Sequence, residues 1–312
     1  MTRSVYLTSL VNINNEALKI ARHLIMMSTG IKEIHDPNYA DVIFYIDNGY
    51  HGLSQISTYF EALKTFSQQQ IIVYSETDCP LPCFPGAYPS LSGTFKKEEP
   101  YFSWCFISAS HSNLYTRRLR DIKPYYLFSF LGRVSTHPVR KKISRLHSPF
   151  TPCLDVNDAK IYFSDYSYSS TYYNLLQSSK FILCPRGFGR GSIRTYEAMS
   201  LGRVPVIISD GWKEHSEPDI SSCSIRIEEK DIEKIPQILA ACEDQAEELG
   251  QKARKLFEHY FAPEVFLEKL IEQACKGSES VNLRYLMLRS LLKYGLVPNH
   301  IKTWIADTIL DR

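Results

Sequence analysis

Short apolar runs bounded by polar or turn residues recur along the chain, at 4–10, 41–47, 70–75, 125–133, 181–184, 204–209 and 224–227. Runs of this length and composition predict strands buried on both faces. Weaker runs at 101–108 and 160–163 predict two more. Between the runs the spacing becomes helical. Residues 15–28 place Ala17, Leu18, Ala21, Leu24 and Ile25 on one face, and helical spacing also covers 53–66, 193–201, 231–242 and about 244–259. Alternating strand and helix predicts an α/β protein with largely parallel sheets. The segment 280–312 predicts a helical tail in which Leu283, Leu286, Met287, Leu291 and Tyr294 share a face. Such a helix can pack on the protein or lie on a membrane surface.

A length of 312 residues suits two domains. The pattern divides into a first α/β domain at 1–123, a second at 124–275 and the tail at 276–312. A long loop at 77–100, rich in proline, glycine and serine, is a candidate functional segment. The first residues read as a strand rather than a secretory leader, and no apolar run is long enough to span a bilayer. A net charge of +2 argues against a general nucleic-acid binder. The eight cysteines are scattered, with Cys79 and Cys83 the one close pair. That spacing predicts reduced structural thiols in a cytoplasmic protein and no metal site.

One segment concentrates the candidate chemistry. Between the apolar runs at 181–184 and 204–209 lie Arg186, Gly187, Gly189, Arg190, Gly191, Ser192, Arg194 and Glu197. The order is strand, cationic glycine-rich loop, helix start, strand. A helix N-terminus offers unpaired N–H groups to an anion, and small residues let the backbone approach it. Arg190 and Arg194 can add charge-assisted bonds to phosphate. Glu197 follows Arg194 by one helical turn and can accept from sugar hydroxyls, or the two can simply pair with each other. The spacing is neither a Walker loop nor a GxGxxG fingerprint. Arg133, after the strand ending at Gly132, can reach the same ligand or be an exposed turn residue; His137 can cap or line that loop. In the first domain, Asp47 and Glu76 close strands where a general base for sugar transfer would sit, and where ordinary turn acids also sit.

The motifs Phe130-Leu-Gly-Arg133, His137-Pro, Cys184-Pro-Arg-Gly187, Gly191-Ser-Ile-Arg-Thr-Tyr-Glu-Ala198 and Val204-Pro-Val-Ile-Ile-Ser-Asp-Gly-Trp212 resemble the exostosin family of glycosyltransferases. The resemblance is strongest over 125–215 and suggests a compact, bacterial-type member. It implies the GT-B arrangement: two facing Rossmann-like domains with a cleft between them, the second binding the donor. It further implies inverting transfer from a nucleotide-sugar, with no cofactor and no obligatory metal. By motif position Arg133 and Arg194 would hold the diphosphate, Glu197 the ribose, and Gly191 and Ser192 the helix-start contact, with Asp210 lining the donor cleft. The implied acceptor is a glycan or lipid-linked glycan, used at the cytoplasmic side. Nine Lys/Arg against one acid over 117–145 suit peripheral contact with an anionic membrane, or equally a solvated face. Arg203 stands where the resemblance implies a small or neutral residue. A non-catalytic nucleotide-sugar-binding partner of another transferase is the alternative reading.

Overall fold

The computed structural model of the chain describes residues 2–9, 16–47, 65, 70–78, 80, 82, 84–95, 100–107, 122–156, 166–214 and 217–278. They form two compact units, each built on a parallel sheet. The first unit comprises 1–91, 95–107 and the segment from 267 onward; the second comprises 92–94 and 108–266.

In the first unit, β1 (Arg3–Thr8), β2 (Ile31–Glu33), β3 (Val42–Asp47), β4 (Gln70–Ser75), β5 (Gly86–Ala87) and β6 (Tyr101–Phe102) assemble in the order β2-β1-β3-β4-β5-β6. Every residue from Val42 to Ile46 is buried, as a strand covered on both faces requires. Helix α1 (Glu16–Met27) buries Ala17, Leu18, Ala21, Leu24 and Ile25, the face read from the sequence. The expected helix at 53–66 and the tail at 280–312 lie outside the described residues, apart from Thr65.

In the second unit, β7 (Tyr126–Gly132), β8 (Cys153–Asp155), β9 (Ser179–Pro185), β10 (Val204–Ile208) and β11 (Ile225–Arg226) run in the order β11-β10-β9-β7-β8. Between them come α2 (Pro138–Ser144), α3 (Tyr166–Gln177) and α4 (Ile193–Ser200), and α5 (Ile235–Ala241) and α6 (Ala246–Tyr260) follow; α7 (Phe266–Ser278) belongs from Leu267 onward to the first unit. Successive strand residues feed opposite faces. Phe181 and Leu183 of β9 join Val139, Ile143, Ile235 and Leu239 of α2 and α5. Ile182 and Cys184 join Tyr172, Leu176 and Ala198 of α3 and α4. Helix α6 buries Ala246, Gly250, Ala253 and Phe257, a stripe at helical spacing. The strand expected at 160–163 lies outside the described residues; β8 lies upstream, at Cys153–Asp155.

The sequence pattern groups 267–275 with the second domain and 276–278 with the tail, but α7 from Leu267 onward packs into the first unit. Ser28 Oγ and Gly30 N–H donate to Glu268 at 3.1 and 3.2 Å, and Arg3 donates to Cys275 Sγ. Helical periodicity marks the buried face of α7 but says nothing of which core receives it.

Arg203 has a structural task. Its Nε and Nη2 donate to the Gln177 carbonyl at 3.0 and 2.7 Å, and Nη2 also reaches the Ile122 carbonyl at 3.1 Å. The guanidinium thus satisfies the last carbonyl of α3, where a cation is favoured, and ties it to the segment entering β7. Arg203→Ala is expected to cost about 1–2 kcal/mol in chemical denaturation, with no change in ligand affinity at the loops of the opposite sheet end.

Candidate functional site

In a doubly wound sheet the strand order reverses at a switch point, and the crevice beyond the strand carboxyl ends there is where ligands bind. In the second unit the reversal lies between β7 and β9, because β8 flanks β7 on one side and β9–β11 continue on the other. The strands part here. β7 and β9 are paired from Tyr126↔Ser179 to Ser129↔Ile182. Beyond that, Phe130–Gly132 pair outward with β8, and the end of β9 pairs with β10.

Two arginines occupy the parting. Arg194, buried at 7% exposure in the first turn of α4, donates Nε and Nη2 to the Leu131 carbonyl at 3.2 and 2.7 Å. Its guanidinium lies 5.0 Å from the Phe130 ring centre and 5.9 Å from that of Tyr172. Arg140 of α2 donates Nε to the Arg186 carbonyl at 2.9 Å, Nη1 to the Arg133 carbonyl at 3.3 Å and Nη2 to the Pro185 carbonyl at 3.4 Å. Both need a missing side chain. A Cβ on Gly132 would fall 2.2 Å from Arg194 Nη2, and one on Gly187 would fall 2.9 Å from Arg140 Nη2.

The loop after β9 carries polar groups without partners. Ser192 stands at the N-cap of α4 but makes no side-chain capping bond, and its buried Oγ has no hydrogen-bond partner. Arg186 Nε is likewise buried and unpartnered, while its Nη1 lies 4.0 Å from Glu229. Buried polar atoms are normally satisfied, so each of these two has a hydrogen bond left for water or a ligand to complete. Gly191 lies beside Ser192, half-buried. Arg190 donates to the Asp210 carbonyl at 3.2 Å and accepts from Ser209 Oγ through its own carbonyl. Asp210 is exposed and exchanges bonds with Glu229, donating its N–H to Glu229 Oε1 and accepting from Glu229 N–H. The candidate loop 77–100 contributes here too: Ser92–Thr94 belong to the second unit, and Gly93 N–H donates to the Gly211 carbonyl at 2.7 Å.

Glu197 is fully buried. Its Oε2 accepts from the Tyr172 hydroxyl, and Oε1 has no partner. Arg194 and Glu197 therefore take separate partners rather than each other. Arg133 is exposed in the turn after β7. The structure thus gathers Arg133, Arg186, Arg190, Gly191, Ser192, Arg194, Glu197 and Asp210 onto the carboxyl ends of β7, β9 and β10 and the start of α4. Sequence reading missed Arg140 and Tyr172, whose partners lie 46 and 25 residues away along the chain.

Asp47 and Glu76 lie in the first unit. Asp47 ends β3 opposite Ser75, at the side of the sheet where β1 and β3 form that unit's own switch point. Glu76 Oε1 accepts from the Ile107 N–H and lies 2.6 Å from the Tyr74 hydroxyl. Burial, reinforced by the Glu76 charge, pushes the Tyr74 phenol well above its ordinary range, so it stays a hydrogen-bond donor.

His137 caps α2: its Nδ1 accepts from the Val139 N–H at 3.3 Å. Burial, then the Arg186 and Arg140 charges, hold the imidazole below its ordinary range against the pull of Glu229. The unfolded chain therefore takes up this proton first, as pH falls through about 6.5. This contribution to stability is present above that pH and is lost on acidification. Melting of wild type against His137→Asn, which keeps a capping oxygen, should show the wild type losing more stability between pH 7 and 5.5.

Residues 107–242 match the model of the Exostosin GT47 domain. The match lies almost wholly in the second unit, over its residues 108–242. Among relatives, this chain is 32% identical over 185 residues to the Exostosin-1 homolog of Caenorhabditis elegans, covering 53% of this chain and 47% of that protein. It is 30% identical over 161 residues to the probable glucuronoxylan glucuronosyltransferase IRX7 of Arabidopsis thaliana, covering 45% and 31%. The chain spans at most about half the length of these curated relatives. Among solved structures, a glycosyltransferase from Rickettsia africae covers 90% of this chain and 100% of its own, at 10% identity and a TM-score of 0.46. The match to the exostosin domain takes in β7 through α5 and, with them, Arg133, Arg186, Arg190, Gly191, Ser192, Arg194, Glu197 and Asp210. Among the described residues, no helix is long and apolar enough to cross a membrane.

Proposed function

We propose that the protein is an inverting glycosyltransferase that moves a sugar from a nucleotide-sugar, a UDP-sugar first of all, to a hydroxyl of a glycan or lipid-linked glycan. The observation that carries the reading is the set of buried, unpartnered donors, Ser192 Oγ and Arg186 Nε, beside the parted carboxyl ends of β7 and β9 in an exostosin domain. A diphosphate satisfies such donors, and the helix start behind them favours its charge. Glu197 Oε1, buried and lacking a donor, suits a ribose hydroxyl. Arginines supply the positive charge, so the reading includes transfer without an obligatory metal. Asp47, at the end of β3, is the proposed base. Glu76, with an oxygen already engaged by Tyr74 and Ile107, is the weaker candidate. That engagement also favours the second reading, a nucleotide-sugar-binding partner of another transferase. We place the reaction at the cytoplasmic side, with peripheral membrane contact through the basic segment.

Calorimetry of the full chain with UDP, GDP, CMP and their sugars, with and without EDTA, tests the reading. Saturable binding of a nucleoside diphosphate, unchanged by EDTA and weakened at least tenfold in Arg186→Gln, is the expected result. Absence of binding to all of them would sink it. Binding without sugar transfer to any glycan acceptor, followed by NMR at the anomeric carbon, would leave the second reading standing.

A further inference from the structure

We infer that Arg140 is a positioning residue for the diphosphate: one guanidinium, laid across the carboxyl ends of β7 and β9, fixes the spacing of the loops that carry Arg133 and Arg186. The inference rests on the nucleotide-sugar reading above and names a determinant of the same site. The strands at the switch point have no ladder bonds to hold their ends in register, because their mutual pairing stops at Ser129↔Ile182. Three donors of Arg140 meet carbonyls on both sides of that gap: Arg133 on one, Pro185 and Arg186 on the other. The guanidinium fork is planar and always charged, so it can bridge fixed acceptors where an ammonium cannot. Phe130 lies 5.9 Å beneath it, and Gly187 leaves the space it fills. The short helix that carries Arg140 is anchored by the His137 cap. Arg140 acts on the backbone of Arg133 and Arg186 and has no assigned contact of its own with the ligand.

A site held this way discriminates by phosphate. The full chain and its Arg140→Ala variant are titrated with UDP, UMP and uridine, and melted in parallel. The expected result is a loss on the order of 10- to 100-fold in UDP affinity, with uridine affinity within about threefold, and partial recovery of UDP binding on adding millimolar guanidinium. Should Arg140→Ala not fold, Arg140→Lys serves, with the same loss expected because one ammonium cannot span three carbonyls. Equal weakening of UDP and uridine, or none, would overturn the positioning role while leaving the donor reading intact. Wild type that binds no nucleoside diphosphate would overturn the donor reading itself, and the two failures are told apart by the wild-type titration.

Discussion

Arg194→Ala is expected to eliminate measurable nucleoside-diphosphate binding and to destabilise the second unit by about 3–5 kcal/mol. Two losses add. The Leu131 carbonyl gives up both of its guanidinium bonds, at 3.2 and 2.7 Å. Hydrogen bonds to a charged group are worth about 1.5–3 kcal/mol each. Stacking over Phe130 contributes about 1–2 kcal/mol more in a desolvated site, and relaxation of the emptied space offsets part of the sum. Arg194→Lys should recover little, since lysine cannot place two donors on one carbonyl and stack at once. Urea denaturation gives the stability term and calorimetry with UDP the binding term. A variant that kept wild-type stability would show that the carbonyl contact is incidental.

Tyr172→Phe should cost about 2–3 kcal/mol although it removes one oxygen and no packing volume. Glu197 is fully buried and the Tyr172 hydroxyl is its hydrogen-bond donor among the described residues. Without that donor the carboxylate keeps its desolvation cost and loses its compensation. The aromatic ring remains, so its packing beside Arg194 persists. Glu197→Gln, which keeps an acceptor for Tyr172 and drops the charge, should cost much less. Equal costs for the two variants would mean that the charge, rather than the missing donor, sets the energy.

The strands and the loop after β9 were legible in the sequence for a physical reason. Fully buried parallel strands such as Val42–Ile46 and Val204–Ile208 leave continuous apolar runs, and α1 shows its buried face through simple periodicity. The residues of 186–197 come together because one strand, one loop and one helix start carry most of them. Arg140 and Tyr172 were not legible, because their contacts join elements far apart in the chain. Arg140 meets a carbonyl 46 residues away and Tyr172 a carboxylate 25 residues away. Arg203 broke a motif expectation for a similar reason: its carbonyl partner lies at Gln177, in a helix the motif does not include.

The first unit is assembled from both early and late parts of the chain. Helix α7 lies beyond the whole second unit in sequence, yet Glu268 and Cys275 meet Ser28, Gly30 and Arg3. During synthesis the early segment of this unit, ending at Ile107, must therefore wait for the whole of Ser108–Phe266 before α7 arrives. The second unit is contiguous save for Ser92–Thr94 and can close first, so vectorial folding would begin in the middle of the chain.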